Sequence, residues 1–124
     1  ECIGDTVGYS IRLESRSSAE TCLLFCTTGV LLRRLESDSD LDGLTHVFVD
    51  EVHERGLETD FILLALRDLC ARRTGIRIVL MSGTVDARIF SKYFRTSQIL
   101  KIPGRLFPVK TLFLEDAFEL LLGS

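Results

Sequence analysis

The sequence predicts an α/β domain built on a mostly parallel sheet with helices on both faces. Short apolar runs, rich in β-branched and aromatic residues, alternate with longer segments of helical periodicity along the 124 residues. Strands that are joined by helices pair in parallel through right-handed crossovers. Hydrophobic residues make up 46% of the chain, which is enough for the core of one small domain.

The first part of the chain contains two predicted strands and a helix. Residues 6–13 alternate loosely and predict a strand, residues 15–20 are polar and predict a loop, and residues 21–26 predict a buried strand. Thr27 or Thr28 can cap the helix that follows. The apolar side of this helix consists of Val30, Leu31, Leu32 and Leu35.

The middle of the chain repeats this alternation. Residues 37–43 are rich in Asp and Ser and predict a surface loop, and His46–Val49 predicts the next buried strand. The longest helix is predicted over residues 57–73, with Gly75 ending it, and residues 76–81 predict a third buried strand. The expected inward face of the helix consists of Phe61, Leu64 and Leu69, widened by Ile62, Leu66 and Cys70.

The last third of the chain predicts a short helix and two further strands. Asp86 can cap the helix, and strands are expected over residues 98–102 and 108–114, around a turn at Pro103. Residues 115–124 fit no element clearly. The inward side chains of the short helix are expected to be Ile89, Phe90, Tyr93 and Phe94.

The bulk composition narrows the class of protein. A net charge of -3 does not indicate a basic surface that binds nucleic acid everywhere. No apolar run approaches the roughly 20 residues that span a bilayer, so no membrane association is expected. The four cysteines form no Cys-x-x-Cys pair and predict reduced thiols in an intracellular protein, cytoplasmic or nuclear. The chain starts with Glu1 and its one methionine is Met81, so we expect a fragment of a longer protein.

Two adjacent carboxylates, Asp50 and Glu51, carry the clearest chemical signal. They follow an apolar strand directly, and ligands of α/β sheets bind at the carboxyl ends of strands. One carboxylate can hold a magnesium ion while its neighbour orients or deprotonates a water molecule. The alternative without a functional role is an ordinary strand end that leads into a solvated loop. The segment as a whole predicts a nucleotide-hydrolysing site.

Nearby polar residues can be interpreted in two ways. His53 is followed by Glu54 and Arg55, so the second histidine of a His-Glu-x-x-His zinc site is missing, and His53 is either a structural residue or part of the acidic site. Residues 82–84 (Ser-Gly-Thr) end the next strand, where they either cap a turn or contact the acidic loop. Residues 27–29 (Thr-Thr-Gly) start a helix, and they form either a plain cap or a phosphate cradle.

Together, these motifs resemble the DEAH-box and RNA-helicase-A-like (DExH) group of superfamily 2 helicases. Residues 50–55 match the Asp-Glu-x-His motif of that group, its form of Walker B. Residues 26–33 resemble its nucleic-acid-contacting motif, and residues 7–12 resemble a segment that precedes this motif. Residues 82–84 fill the place of its Ser-Ala-Thr motif, with Gly for Ala. Residues 102–109 resemble the stretch that leads out of the first RecA-like domain.

The resemblance implies roles for the residues at the two strand ends. ATP and Mg²⁺ are the expected cofactors. Asp50 is expected to hold the Mg²⁺ of Mg-ATP through water, and Glu51 to activate the attacking water as the catalytic carboxylate. His53 is expected to be a catalytic residue together with Asp50 and Glu51. Together with Ser82 and Thr84, His53 is expected to couple the γ-phosphate state to domain closure.

The resemblance also implies an RNA-binding surface. Thr27, Thr28 and Gly29, with Arg12 and Arg33, are expected to contact the sugar-phosphate backbone of single-stranded RNA. Such contacts carry little base information, so binding independent of sequence is expected. A DNA helicase or another superfamily 2 ATPase is the weaker alternative, because nothing in these motifs proves that a 2′-hydroxyl is recognised.

Two parts of the expected motor do not occur in the sequence. No Gly-x-x-x-x-Gly-Lys-Ser/Thr phosphate-binding loop is found in the 124 residues. We therefore expect an incomplete RecA-like (P-loop NTPase) domain over residues 1–124 that lacks the P-loop strand and helix, with the second RecA-like domain downstream. The parent is expected to be an ATP-dependent RNA helicase, and the fragment alone to be inactive. The rival interpretation is a non-catalytic remnant or truncated isoform that binds RNA or a protein.

Overall fold

The computed structural model describes residues 2–83, 88–95, 98–104 and 107–122, and it confirms the α/β class. Strands and helices alternate through most of the chain, as the sequence predicts. The elements in chain order are β1 (Val7–Ile11), β2 (Glu14–Arg16), β3 (Leu23–Cys26), α1 (Thr28–Ser37), β4 (His46–Val49), a 3₁₀ turn (Val52–Glu54), α2 (Leu57–Arg72), β5 (Arg77–Leu80), α3 (Arg88–Phe94) and α4 (Leu114–Leu122).

The described strands form two small sheets rather than one. In the first sheet, β1 lies between β2 and β3 and pairs antiparallel with β2 and parallel with β3. In the second sheet, β4 pairs with β5 in parallel, with Val49 opposite Leu80. Two of the three described strand pairs are therefore parallel, as predicted. The β4–β5 pair is joined through α2, whereas β1 and β3 are joined through β2.

The core lies on one face of the β4–β5 sheet. Val47 and Val49 of β4 are buried there, whereas Phe48, which points to the opposite face, is 55% exposed. Side chains from α1, α2 and α3 all contribute to this core. The alternation of β4 separates its side chains between two faces, and helices cover the face of Val47 and Val49. Helices on both faces of the sheet stay a prediction.

The longest helix turns a different face inward from the one predicted. Phe61 and Leu64 are 54% and 43% exposed, and Cys70 is also exposed, so the expected inward face was wrong at these positions. The prediction was right for Ile62, Leu66 and Leu69, which are 0% exposed. Every position of this helix from 61 to 66 is apolar, so the sequence pattern alone does not define the direction of burial.

The remaining differences fall at edges and in the last part of the chain. Residues 15 and 16 belong to β2 instead of a loop. The strand β3, which was expected to be buried, leaves Phe25 62% exposed. Ile89 is also exposed, although Phe90 and Phe94 pack against the core as expected. The described parts of 98–102 and 108–113 are not strands, and residue 114 begins α4. Asp86 lies outside the described residues.

Candidate functional site

The carboxyl ends of β4 and β5 lie side by side. The amide of Met81 donates to the carbonyl oxygen of Val49 at 2.8 Å, and the amide of Val52 donates to the carbonyl oxygen of Met81 at 3.1 Å. Pairing therefore continues beyond both strands, and Asp50, Glu51 and Ser82 emerge at the same edge. The sequence predicted this shared edge from the expected parallel pairing of strands that each end in polar residues.

A tight turn sets the direction of the two carboxylates. Glu51 has φ 51° and ψ 37°, which is the left-handed region, and its amide donates to Oδ1 of Asp50 at 2.9 Å. The next residue, Val52, is 0% exposed and anchors the 3₁₀ turn in the core. Both carboxylates are exposed to solvent, so a hydrated ligand can reach them.

His53 lies between the two strand ends. Its Nδ1 is 3.2 Å from Oε2 of Glu51, although the angles are not those of a hydrogen bond, and this buried nitrogen has no hydrogen-bond partner among the described residues. The adjacent ring atom, Cε1, would be 3.9 Å from a Cβ at Gly83. The ring therefore contacts the acidic turn and faces the Ser-Gly-Thr motif, of which Thr84 lies outside the described residues.

The donor set fits a magnesium ion that is held mainly by other ligands. No group of three or more His, Cys, Asp and Glu side chains that could hold a metal occurs in the part of the chain that the structure describes. Mg²⁺ in nucleotide sites commonly uses one or two protein carboxylates and fills its remaining positions with water and phosphate oxygens. An exposed carboxylate at a strand end, such as Asp50, meets that requirement.

A second cleft, of about 370 Å³, lies beside the amino-terminal end of α1. Four of the five residues that the sequence predicted to contact nucleic acid line it, and the hydroxyl of the fifth, Thr28, donates a hydrogen bond to a residue of the same cleft, Glu58. The lining residues are Arg12, Thr27, Gly29, Val30, Leu32, Arg33, Glu36 and Glu58. The fold therefore brings Arg12, which follows β1, together with the amino-terminal part of α1 and the first turn of α2.

Sequence reasoning missed the two acidic residues of this cleft. Glu36 and Glu58 face a site that was expected to be basic and hydroxyl-rich. In the sequence, Glu58 reads as an ordinary acidic residue in the first turn of α2. No local signal connects Thr28 with Glu58, because the contact depends on the packing of α1 against α2.

A third feature is an apolar groove between α2 and α3. Arg55 closes one side of it through a bidentate ion pair with Asp60, at 2.8 and 2.9 Å, and this ion pair holds the pKa of Asp60 below its usual value. On α2, Arg67 lies 4.6 Å from the ring centroid of Tyr93. The groove lining comprises Arg55, Leu57, Asp60, Phe61, Leu63, Leu64, Ile89, Phe90 and Tyr93. No helix within the described ranges is long and apolar enough to cross a membrane.

Comparison with known proteins identifies the relatives of the chain. No family model matches it. The DHX57 protein of Mus musculus is 59% identical over 117 residues, which is 94% of this chain and 8% of that protein. The DExH-box ATP-dependent RNA helicase DExH1 of Arabidopsis thaliana is 57% identical over 119 residues, 96% of this chain and 12% of its own. The ATP-dependent RNA helicase DHX29 of Homo sapiens is 50% identical over 112 residues, 90% of this chain and 8% of its own.

These identities extend along almost the whole chain, which spans roughly a tenth of the length of the relatives it matches. The resemblance to the DEAH-box and DExH group, predicted from the motifs, is confirmed: the homologues of this chain include proteins named as ATP-dependent RNA helicases, and DExH-box and DEAH-box proteins are among them.

Proposed function

We propose that the chain is part of the ATP-hydrolysing RecA-like domain of an intracellular RNA helicase that couples ATP hydrolysis to unwinding or remodelling of RNA. One observation carries the proposal: β4 and β5 pair in register, so that Asp50, Glu51 and Ser82 share an edge with His53 between them. The names of the relatives support the same reaction and do not favour the non-catalytic alternative.

Each residue at this edge has a separate role in the proposed hydrolysis of ATP. Asp50 helps to hold the Mg²⁺ of Mg-ATP through water, and the ion supplies neutralisation of phosphate charge. Glu51 orients the attacking water and accepts its proton. His53, which contacts the turn of Glu51 and faces Gly83, transmits the nucleotide state together with Ser82 and Thr84 to the rest of the protein.

The cleft at α1 is the proposed RNA contact. Arg12 and Arg33 supply positive charge, and the backbone at Thr27, Thr28 and Gly29 offers the amino-terminal end of a helix to a phosphate. Contacts of this kind recognise the backbone and not the bases, so the proposal is single-stranded RNA bound with little preference for sequence.

The proposal requires elements that the 124 residues do not contain. We infer that the phosphate-binding loop and a second RecA-like domain come from other parts of a longer protein, since neither the Gly-x-x-x-x-Gly-Lys-Ser/Thr pattern nor a second domain occurs in this sequence. The 124 residues by themselves are then inactive as an ATPase, because cradling the phosphates and closing two domains around ATP are both needed for turnover.

The decisive experiment is RNA-stimulated ATP hydrolysis by the complete protein that carries these residues. Glu51→Gln removes the proton acceptor and keeps the shape of the side chain, so kcat is expected to fall by at least about 100-fold. Glu20→Gln, the same substitution at an exposed residue of the loop after β2, is the control and is expected to keep full activity. Turnover by Glu51→Gln at the rate of the control would refute the assignment.

A further inference from the structure

We propose that Glu58 competes with the RNA backbone for the amino-terminal end of α1, so that RNA binds there only when this carboxylate moves away. Glu58 then lowers the affinity of the cleft for RNA by occupying the position that an RNA phosphate would take. The inference rests on the proposed RNA contact at the α1 cleft and adds to it a residue of α2.

The carboxylate of Glu58 lies against the first turn of α1. The hydroxyl of Thr28 donates a hydrogen bond to Oε2 of Glu58. A Cβ built on Gly29 would lie 3.5 Å from Oε1 and 3.7 Å from Oε2 of the same carboxylate. The acid therefore occupies the space directly beside Thr28 and Gly29, two of the residues that are expected to contact a phosphate.

The helix itself provides no other anion at this end. Thr27 stands at the N-cap position, but its side chain makes no capping hydrogen bond, and the first turn of α1 holds no acidic residue. The amino-terminal end of a helix carries partial positive charge and favours a negative group. Glu58 supplies that group from α2, in the way that a bound phosphate does at other helix termini.

A phosphate and the Glu58 carboxylate cannot share this position favourably. Two negative charges a few ångströms apart repel each other, and a phosphate that accepted the Thr28 hydroxyl would displace the present acceptor. Arg12 and Arg33 line the same cleft and stay available to the phosphate. RNA binding is therefore an exchange of one anion for another and not the filling of an empty site.

A matched acid in the same cleft allows a clean control. Glu36 lines the cleft but lies on α1 itself, and among the described contacts it is Glu58 that accepts the Thr28 hydroxyl. Glu36→Gln and Glu58→Gln change the net charge of the cleft equally. A general electrostatic effect on RNA would therefore be shared by both variants, whereas competition at α1 affects only the second.

The experiment measures the binding of a labelled single-stranded oligouridylate to the complete protein without nucleotide, at one fixed salt concentration. Glu58→Gln is expected to tighten binding by about fivefold, and Glu36→Gln by less than about twofold. Glu58→Ala, which removes the carboxylate entirely, is expected to tighten binding at least as much. A substitution that only damaged the fold would weaken binding, so the direction of the change is diagnostic.

Arg33→Ala separates the two proposals. It is expected to weaken binding, because it removes a cation of the cleft. If Arg33→Ala weakens binding while both glutamine variants bind equally, the RNA cleft stands and the competition by Glu58 is wrong. If Arg33→Ala and Arg12→Ala both leave binding unchanged, the cleft is not the RNA site, and the inference about Glu58 is overturned with it.

Discussion

Nδ1 of His53 lies 3.2 Å from Oε2 of Glu51, and the His53 side chain is only 22% exposed. The adjacent ring atom, Cε1, faces Gly83 at the end of the neighbouring strand. A movement of the acidic turn would therefore displace the His53 ring, and the ring would in turn push against the Ser-Gly-Thr segment. This contact is the physical basis of the role proposed for His53, which is to transmit the nucleotide state.

Replacing His53 with Gln is expected to lower the kcat of RNA-stimulated ATP hydrolysis by about 10- to 100-fold with little change in KM. The reason is that Glu51 loses the ring that lies beside its carboxylate, and small misplacements of a catalytic group have effects of this size. The measurement is steady-state hydrolysis by the complete protein. His46→Gln is the matched control, since His46 is exposed at the other end of β4. Equal activity of the two variants would exclude a role for the His53–Glu51 contact.

Gly83→Ala is expected to be tolerated and to raise the stability of the protein by about 0.5 kcal/mol. An added Cβ would lie 3.9 Å from Cε1 of His53, which is ordinary van der Waals contact, and alanine restricts the unfolded chain more than glycine does. ATP hydrolysis is expected to remain within about twofold of the unmodified protein. Chemical denaturation monitored by circular dichroism gives the change in stability.

The control for this substitution is Gly8→Ala in β1. A Cβ at Gly8 would lie 2.5 Å from the carbonyl oxygen of Arg16, a distance that backbone atoms do not tolerate. We expect a loss of about 2 kcal/mol or more, because the β1–β2 pair must shift to relieve the overlap. A destabilising effect of Gly83→Ala as large as that of Gly8→Ala would contradict the described position of the His53 ring.

The direction of burial of α2 gives a third prediction. Leu66 is 0% exposed in the core, and Leu64 is 43% exposed. Leu66→Ala is expected to cost about 2–5 kcal/mol through lost burial and a cavity, and Leu64→Ala about 1 kcal/mol or less. Urea denaturation of the two variants measures both values. Equal costs would mean that the inward face is the broader one that the periodicity of the sequence predicts.

The order of the elements could be predicted from the sequence because local patterns determine it. The run His46–Val49 is short, apolar and followed by two carboxylates, and the structure has a strand with these bounds. The inward face of α2 could not be predicted in full, because leucine and other apolar residues occupy most positions of its first half. Which of them are buried depends on the contacts with α1 and β4, and these join residues far apart in sequence.

The candidate site shows the same division. The common edge of Asp50 and Ser82 follows from parallel pairing, which the sequence predicts from alternating strands and helices. The contact between Thr28 and Glu58 could not be predicted, because it spans 30 residues and depends on how two helices pack. Motifs therefore locate the residues that face the ligand, and only the packing reveals the neighbours that modify them.

The left-handed backbone at Glu51 has a consequence for protein engineering. Most residues other than glycine lose roughly 1–2 kcal/mol in this conformation, whereas glycine, and to a lesser extent asparagine, adopt it readily. A screen for heat-resistant variants that scores folding alone will favour those two residues at position 51. It will thereby select against the carboxylate that the proposed hydrolysis needs. Stability favours a residue that adopts the left-handed conformation easily, whereas turnover requires glutamate at the same position.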